Sequence, residues 1–438
     1  MKKSRLLSVL LCLALLSGLL TTFASAADSG SAILDEMDVN AKAAVLVDPD
    51  TGEILYEKNA HAHNYPASIT KVMTCLLTLE AVDRGELSLE QTVTASSALH
   101  TGIGEGASTA DIKEGEQIRI IDLLYAALIP SANEACNVMA EAVSGDVASF
   151  VELMNTRAAE LGMEDTHFSN THGYHDDDHY TSAYDIYLMC REAMKHETFR
   201  TIVGSKNYTM PATNLHPEPR IIRSTNALIS NFRVAGYIYE YATGIKTGST
   251  EEAGYCVITK ASKDGYNYLA VVLGAPVIDY NNDGYVEKCS FIDAASLFDW
   301  AFDSLKYTTL VSANDVIDEV PVENGKDADA VQLMAEKDVN TIVPAGLDKS
   351  AVIIRAVDKP ESVQAPVEKG QKICKAEIVY ADQVVATVQL VAANRVELST
   401  FLKILNAVKA FFSLTVVRIV LGAAVLFVLV YLYLFIRN

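Results

Sequence analysis

The feature that most constrains this chain is an uninterrupted apolar run near its C-terminus, from Ile419 to Ile436. A helix rises about 1.5 Å per residue, so this run spans most of a hydrocarbon core of ~30 Å. In the segment before it, apolar residues recur at helical spacing and lysines occupy other faces, which is typical of an interfacial helix. We therefore predict an amphipathic juxtamembrane helix over 397–418 and a transmembrane anchor over 419–436.

The N-terminus carries an apolar segment of a different kind. A basic stretch that ends at Arg5 precedes a short leucine-rich run, and the run closes with small residues up to Ala26. A membrane-spanning helix would need a longer run, so this pattern predicts a secretory signal peptide over 1–26. The body of the protein is then expected on the outer side of the cell membrane.

Composition narrows the classes of partner. The chain has 56 acidic residues against 35 basic ones, a formal net charge of −21, which excludes nucleic acid as an expected partner.

The cysteines after the predicted leader are scattered singly through apolar segments without any CxxC pair: Cys75, Cys136, Cys190, Cys256, Cys289 and Cys374. This spacing is typical of small buried hydrophobic residues, so we predict no disulfide framework.

Between leader and anchor, the chain is long enough for two domains. The first, over 27–308, begins with AAVLVDPDTGEILYE, in which two apolar runs flank a turn sequence and predict a strand hairpin. Helical periodicity follows from Pro66 to a stop at Gly85 and returns through the middle of the domain. Short β-branched runs come back after Ala242, and a Lys-Asp-Gly turn between the last two predicts a second hairpin. A final helix is predicted at about Phe291–Leu305. Strands at both ends with helices between them predict an α+β fold.

The second domain, over 309–396, has a different pattern. Alternating strands such as SAVIIRAV and VVATVQLV are separated by loops rich in proline, glycine and charge. This pattern predicts a small all-β domain. It contains no cluster of reactive side chains, so we expect it to act as a spacer or as a partner contact.

A lysine in an apolar and hydroxylated stretch, YPASITKVM, raises the first functional question. Positions i and i+3 of a helix stand on one face, so Ser68 and Lys71 are expected to point together near the helix start. A serine hydroxyl is a weak nucleophile until a base takes its proton, and a neutral lysine amine can do so. Alone, the Ser-x-x-Lys spacing is a weak signal, because an exposed lysine is its usual meaning.

Two further segments strengthen that interpretation. The stretch IPSANEA places Ser131 and Asn133 at a proline-marked break between two apolar helices, where their side chains can project into a cleft. The stretch GIKTGST places Lys246 and Thr247 on a short strand, with Gly248 where a side chain would block a ligand along the strand edge. Helix capping and an ordinary strand end are the simpler interpretations of each segment taken alone.

Together, in this order, Ser-x-x-Lys, Ser-x-Asn and Lys-Thr-Gly resemble the motifs of the penicillin-recognising serine acyltransferases, which include β-lactamases and penicillin-binding proteins. Within that group the chain resembles the low-molecular-mass D-alanyl-D-alanine carboxypeptidases, from about Ala43 to Phe302. The matching stretches are LVDPDTGEILYEKNA, YPASITKVMT, LIPSANEA, LGMEDTHFSNTHGYHDDDHYTSAYDIYLM and GIKTGSTEEAGYCVITKA. The resemblance implies a β-lactamase/transpeptidase-like catalytic domain, an antiparallel sheet with helices, followed by the small all-β domain and the C-terminal transmembrane helix.

The resemblance also implies the chemical roles. Ser68 is expected to be the acylated nucleophile, Lys71 its base, and Ser131 a relay of protons toward the leaving amine. Lys246 is expected to supply positive charge that helps to keep Lys71 neutral, because two ammonium groups in one cleft repel each other. The oxyanion hole would come from the backbone amides of Ser68 and Ser249.

Substrate binding is implied for the remaining motif residues. Asn133 is expected to hold the peptide backbone of the substrate, and Lys246 with Thr247 to bind its terminal carboxylate, which needs a cationic and hydroxylated seat. Gly248 belongs to the same strand edge. Many relatives carry an arginine shortly after the strand that follows this hairpin, and the chain has Pro276 there. The carboxylate seat is therefore expected to be weaker or built differently.

The implied activity is removal of the terminal D-alanine from peptidoglycan stem peptides that end in D-Ala-D-Ala, through an acyl-enzyme on Ser68. β-Lactam antibiotics are then expected to be covalent inhibitors of the same serine. The implied location is the outer face of the bacterial plasma membrane, with the C-terminal helix as anchor. No metal and no organic cofactor is implied.

Two other functions compete with this interpretation. A β-lactamase would use the same serine and lysine, but class A members also carry a carboxylate in a Glu-x-x-Leu-Asn loop. No such loop occurs between Asn133 and Lys246. A catalytically silent cell-wall binding protein is the second rival, and the intact Ser68 and Lys71 argue against it.

Two stretches resemble metal sites. HGYHDDDHY, at 172–180, offers histidines and aspartates but lacks the HExxH spacing of zinc proteases. DYNNDGY begins like a calcium loop at Asp279, but its twelfth position is Ser290 instead of a glutamate. We therefore predict loops and no metal at either stretch.

Overall fold

The computed structural model describes residues 37–380 and 383–437, so the predicted signal peptide at 1–26 lies outside the described residues. The chain forms two compact units, and the division falls between Phe302 and Asp303. Each unit has its own hydrophobic core. All six cysteines of the described residues are free and buried.

The first unit is built on helices and antiparallel strands, as the predicted α+β class requires. Its strands are, in chain order, β1 (Ala43–Val47), β2 (Ile54–Lys58), β3 (Thr92–Thr94), β4 (Gln117–Arg119), β5 (Asn207–Met210), β6 (Arg220–Arg223), β7 (Ala242–Thr250), β8 (Gly254–Lys263), β9 (Tyr266–Ala275), β10 (Val277–Ile278) and β11 (Glu287–Lys288). The central sheet has the order β2-β1-β9-β8-β7, so it joins strands from both ends of the unit, as predicted. Strand β7 lies at one edge of this sheet.

The two predicted hairpins of the central sheet are confirmed. In the turn between β1 and β2, the Asp48 carboxylate accepts hydrogen bonds from the backbone amides of Asp50 and Thr51 at 2.8 and 3.3 Å. Between β8 and β9, Asp264 and Gly265 have φ of 52° and 87°, the left-handed pair that a two-residue hairpin turn needs. Aspartate and glycine tolerate that conformation, which explains why the sequence signal was clear.

Helices connect and cover the strands of this unit. They are α1 (Lys71–Asp83), α2 (Ile120–Leu128), α3 (Asn133–Ser144), α4 (Val147–Leu161), α5 (Ala183–Ala193), α6 (Glu197–Val203) and α7 (Cys289–Ser304), with short 3-10 turns at Ala67–Thr70 and Ser97–His100. The helix predicted from Pro66 therefore starts as a 3-10 turn, and its α-helical part begins only at Lys71. The predicted stop is confirmed, because α1 ends at Asp83 and Gly85 has φ of 75°.

The second unit contains the all-β fold that the sequence predicted. Its strands are β12 (Leu305–Val311), β13 (Val316–Glu323), β14 (Ala330–Ala335), β15 (Val339–Pro344), β16 (Ile353–Val357), β17 (Val363–Gln364), β18 (Lys372–Tyr380) and β19 (Gln383–Ala392), with a 3-10 turn at Lys349–Ala351. Six of them form one sheet of order β16-β18-β19-β14-β13-β17, and β12 pairs with β15. The final helix predicted at about Phe291–Leu305 ends one residue earlier, because Leu305 already belongs to β12.

Two helices follow the β fold. Helix α8 (Thr400–Ser413) is capped at its N-terminus by Ser399, whose hydroxyl accepts a hydrogen bond from the Leu402 amide at 3.2 Å. Helix α9 (Thr415–Arg437) contains a segment, Thr415–Ile436, that is long and apolar enough to cross a membrane. Its large apolar side chains are exposed. The domain boundaries proposed from the sequence stay predictions.

Candidate active site

Ser68 lies in the 3-10 turn between Pro66 and α1. The residue before it, Ala67, has a left-handed backbone with φ of 47°, so the chain turns sharply just ahead of the serine. Gly173 packs directly on this turn: a Cβ at position 173 would collide with the Ala67 carbonyl. Gly173 also has φ of 79°, a left-handed conformation that glycine adopts more readily than residues with a Cβ. A distant segment thus fixes the backbone that presents the Ser68 hydroxyl.

Lys71 points at that hydroxyl. Its Nζ lies 2.7 Å from the Ser68 Oγ and donates a second hydrogen bond of 2.7 Å to the backbone carbonyl of His172. In a 3-10 turn, residues i and i+3 lie directly above each other, so the observed turn brings the two groups closer than an α-helix would. The Lys71 side chain is fully buried, whereas Ser68 is half-buried and faces a cavity.

Ser131 and Lys246 form a second pair of the same kind. The Lys246 Nζ donates to the Ser131 Oγ at 2.9 Å and to the Thr247 carbonyl at 2.8 Å. Ser131, at the break between α2 and α3, has a left-handed backbone with φ of 71°. Lys246 is on β7 and is 1% exposed, so each of the two hydroxyls in the cleft is backed by one buried amine.

Burial controls the protonation of both amines. It lowers the pKa of Lys71 from 10.5 to about 8, although the neighbouring Cys136, Glu134 and Cys75 act in the opposite direction. Burial first, and the charge of Lys71 second, hold the pKa of Lys246 well below its usual value. Repulsion between the amines, the cause we predicted from the sequence, is therefore weaker than desolvation.

The edge of β7 approaches the backbone of Ser68 closely. A Cβ at Gly248 would lie 2.9 Å from the Pro66 carbonyl oxygen and 3.0 Å from the Ser68 amide nitrogen. The predicted reason for this glycine, room for a ligand along the strand edge, is thus incomplete. Glycine is needed because the protein's own backbone occupies that space. The close approach brings Ser68 next to β7 at Gly248, the residue before Ser249.

The cleft beside Ser68 has two arms of opposite charge. The first, which we call the basic arm, is a cavity of 280 Å³ whose lining includes Thr225, Arg233, Thr247 and Lys288. The second, which we call the acidic arm, is a cavity of 470 Å³ whose lining includes Asn133, Glu105, Glu251 and Glu252. Ser68, Ser108 and Ser249 line both arms, so the reactive hydroxyl lies where the arms meet.

The structure brings together every residue that the sequence singled out for this site. Three of them line the basic arm only, namely Ser131, Thr247 and Gly248. Asn133 lines the acidic arm, and Ser68 and Ser249 line both. Lys71 and Lys246 lie beneath the cleft and reach it through Ser68 and Ser131.

Several residues that shape the site were missed by the sequence reasoning. The His172 carbonyl fixes Lys71, and Gly173 fixes the Ser68 turn. Glu134 is buried, and its carboxylate accepts hydrogen bonds from Thr109 Oγ1 and the Ala110 amide at 2.6 and 2.8 Å, which holds the loop beside Ser108. A backbone carbonyl can come from any residue type, so the sequence could not indicate the role of the His172 carbonyl. Gly173, in the sequence HGY, was a signal that the sequence did contain.

The stretch at 172–180 serves the fold of the site. The His179 Nε2 lies 2.8 Å from the Thr70 Oγ1, and its Nδ1 accepts from the Ser169 amide at 3.0 Å. Burial lowers the pKa of His172 to about 4 and that of His179 to about 3, so both imidazoles are neutral at pH 7.

The stretch DYNNDGY forms a turn, in which the Asp279 carboxylate accepts hydrogen bonds from the Asp283 and Gly284 amides. Among residues 37–380 and 383–437, no group of histidine, cysteine and carboxylate side chains is arranged to hold a metal ion.

The comparisons with known proteins agree with this geometry. Residues 30–277 match the family described as D-alanyl-D-alanine carboxypeptidase, of the S11 peptidases, and residues 305–398 match the C-terminal domain of penicillin-binding protein 5. The chain is 32% identical to the D-alanyl-D-alanine carboxypeptidase DacF of Bacillus subtilis, over 84% of this chain and 88% of that protein.

Solved structures extend the comparison to the fold. Penicillin-binding protein 5 of Haemophilus influenzae is 27% identical with a TM-score of 0.64, over 83% of this chain and 99% of that one. The DD-transpeptidase of Streptomyces K15 is 28% identical with a TM-score of 0.54, over 62% of this chain and 100% of that one. The fold and the motifs therefore define a serine enzyme of the penicillin-binding class. Within that class, the chain belongs to the D-alanyl-D-alanine carboxypeptidase family, as the motifs predicted.

Proposed function

We propose that this carboxypeptidase cleaves the terminal D-Ala-D-Ala bond of peptidoglycan stem peptides through an acyl-enzyme on Ser68. The observation that carries the proposal is the 2.7 Å distance between the Ser68 Oγ and the Lys71 Nζ, in a cleft that a ligand can enter. A neutral amine at that distance accepts the hydroxyl proton as Oγ attacks the carbonyl carbon. Lys71, with a pKa of about 8, is partly neutral near pH 7.

The developing negative charge on the carbonyl oxygen is stabilised by the backbone amides of Ser68 and Ser249. What supports this step is the close approach of β7 to Ser68 at Gly248. Backbone amides aimed at a forming oxyanion are worth far more in a water-excluded cleft than in solution. The substrate backbone lies along β7 and contacts Asn133 on the acidic arm.

The leaving group takes its proton through Ser131. As the tetrahedral intermediate collapses, the bond between the acyl carbon and the D-alanine nitrogen breaks, and that nitrogen receives a proton from the Ser131 hydroxyl. Lys246 supports this relay, because its Nζ is 2.9 Å from the Ser131 Oγ. Ser131 regains its proton from the Lys71 ammonium, which returns Lys71 to its neutral form. Water then attacks the ester on Ser68 and gives a proton to Lys71, and the Ser68 Oγ takes that proton as the shortened peptide leaves.

The proposed location is the outer face of the bacterial plasma membrane. The predicted signal peptide exports the chain, and α9 anchors it. What supports the anchor is the segment Thr415–Ile436, which is long and apolar enough to span a bilayer. Stem peptides of the cell wall lie on that side of the membrane.

Trapping of the acyl-enzyme tests the proposal. We expect mass spectrometry after incubation with a penicillin to find one covalent adduct per chain, located on Ser68. The Ser68→Ala variant is expected to form none, whereas Ser262→Ala, an exposed serine at the end of the β8–β9 hairpin, is expected to react like the wild type. A folded wild-type protein that forms no adduct would contradict the proposal.

Product analysis separates the competing functions. Release of D-alanine from a diacyl-Lys-D-Ala-D-Ala peptide is expected from the wild type and is expected to be lost in Ser68→Ala. Rapid turnover of the penicillin, without a stable adduct, would indicate a β-lactamase. Binding of cell-wall material without D-alanine release would indicate a silent binding protein.

A further inference from the structure

The basic arm contains two cations that the motifs did not predict. Arg233 lies in the loop between β6 and β7, and Lys288 is the last residue of β11. Both line the same cavity as Ser68 and Thr247. They reach it from segments that are about 55 residues apart in the sequence, so their convergence is a property of the fold.

Neither cation has a carboxylate partner among residues 37–380 and 383–437 of the structure. Arg119, Arg157 and Arg220, by contrast, each contact a carboxylate at 2.6–2.8 Å. Two unpaired cations that face one cavity indicate a site for an anion.

The two charges act on each other. The Lys288 amine is half-buried, and it lies 4.9 Å from the centre of the Tyr255 ring, which holds it in place. Burial first and the charge of Arg233 second lower the pKa of Lys288. An anion bound near both side chains would relieve the repulsion between Arg233 and Lys288, and this relief favours binding of a negative group.

The β10–β11 hairpin places Lys288 beside Pro276. Pro276 precedes β10, which pairs with β11, and the Pro276 carbonyl accepts a hydrogen bond of 3.1 Å from the Cys289 amide. Lys288 is therefore next to the residue that contacts Pro276. The Lys288 amide donates to the Tyr237 hydroxyl at 2.9 Å, which ties β11 to the loop that carries Arg233.

Hydroxyl groups complete the arm. The Thr247 Oγ1 and the Thr225 Oγ1 lie 2.7 Å apart, and both residues line the cavity. Hydrogen bonds from cationic groups to a carboxylate are about twice as strong as those between neutral groups. The basic arm offers both types of donor within one cavity.

We propose that Arg233 and Lys288, with the hydroxyls of Thr225 and Thr247, form the cationic seat for the terminal carboxylate of the substrate. The inference rests on the proposed function, because it concerns how the same cleft binds the end of the stem peptide. The carboxylate of a penicillin would occupy the same seat.

A pair of penicillins tests the seat separately from the chemistry. One has its free carboxylate, and the other is the methyl ester of the same compound. In the double variant Arg233→Gln/Lys288→Met, we expect the acylation efficiency with the acid to fall about 10- to 100-fold, as for lost charge-assisted hydrogen bonds. Acylation by the ester is expected to stay as in the wild type, so the preference for the acid disappears.

The matched control is Arg84→Gln/Lys263→Met. It removes the same charges, and Lys263 also lies over an aromatic ring, 5.1 Å from the centre of Tyr241, but neither residue lines the cleft. It is expected to keep the wild-type preference for the acid. Arg233→Lys, which retains the charge, is expected to restore most of the acid efficiency lost in Arg233→Gln.

The possible failures are distinguishable. If the double variant keeps the wild-type ratio of acid to ester efficiency, the inference is wrong and Lys246 with Thr247 alone seat the carboxylate. If the wild type is acylated by neither compound, the proposed function itself is wrong. Equal thermal unfolding of the double variant and its control excludes misfolding as the cause of a lost preference.

Discussion

The two units of this chain differ sharply in what they bury. The first buries charged and polar side chains throughout its core, including Lys71, Lys246, Glu116 and Asp122. Among the described residues of the second unit, Thr341 is the only polar side chain that is buried. Burial of an unpaired charge is very unfavourable, so each buried charge needs specific partners. The reactive side chains therefore lie in the first unit, which is also the unit that bears the free-energy cost of buried charge.

The buried charges of the first unit join segments that are distant in the sequence. Glu116 accepts from Arg220 at 2.6 Å and from Thr213 at 2.8 Å, and the Arg119 guanidinium binds Asp122. Such networks fix distant loops against one another. The second unit relies on a core of aliphatic side chains, which stabilises a fold without defining a reactive geometry.

The largest effect on the acylation rate is expected from a substitution that blocks proton transfer in the first unit. Lys71→Arg retains a positive charge and its hydrogen-bond donors, but a guanidinium does not accept a proton. We expect the rate of penicillin acylation to fall ~10³-fold, within the range for loss of a general base. Because burial lowers the pKa of Lys71 to about 8, the neutral amine increases as pH rises through 8. The wild-type rate is therefore expected to rise between pH 7 and 9 in stopped-flow measurements. A variant rate within tenfold of the wild type would exclude Lys71 as the base.

One glycine substitution in each unit tests whether the close approach of β7 to Ser68 is needed for acylation. Gly248→Ala places a methyl group against the Pro66 carbonyl and the Ser68 amide, so it is expected to shift the oxyanion hole. Acylation is expected to slow by about 10²-fold, as for loss of one oxyanion donor. Gly346→Ala in the second unit meets no neighbouring atom and has an ordinary backbone, so its acylation rate is expected to match the wild type. Similar rates in both variants would contradict the proposed role of β7.

The smallest expected effect on activity comes from the core of the second unit. Leu333 is fully buried there, and Leu333→Ala is expected to lower the free energy of unfolding of this unit by about 2–5 kcal/mol. The acylation rate is expected to remain that of the wild type, because Ser68 and its partners belong to another core. Leu76→Ala, in α1 behind Lys71, is expected to lower both stability and acylation. Calorimetry with acylation assays on the same samples checks both variants, and slower acylation in Leu333→Ala would overturn the separation.

Much of the fold and of the site was predictable from local sequence. Turn residues such as Asp264 and Gly265 specify their hairpin by their own backbone preferences, and the alternation of apolar residues specifies the strands. The motif residues Ser68 and Lys71 were identified because their chemistry depends on short, fixed spacing. Their resemblance to a known family supplied the roles.

The remaining features depend on contacts between distant segments, which local patterns do not encode. The 3-10 start of the first helix is set by Gly173, about 100 residues away from Ser68. The loop that carries Arg233 has no helical or strand periodicity, so nothing in the sequence placed that residue in the cleft. The His172 carbonyl is a backbone group, and any residue type could have supplied it.

The left-handed turns at Ala67 and Ser131 have a consequence for attempts to make this enzyme more heat-resistant. Each non-glycine residue in that conformation is disfavoured by about 1–2 kcal/mol, so a glycine at position 67 would relax the chain and gain backbone freedom. Libraries screened only for survival at high temperature are expected to enrich such replacements and to lose turnover with them. Robust variants are better sought among positions that leave these two bends untouched.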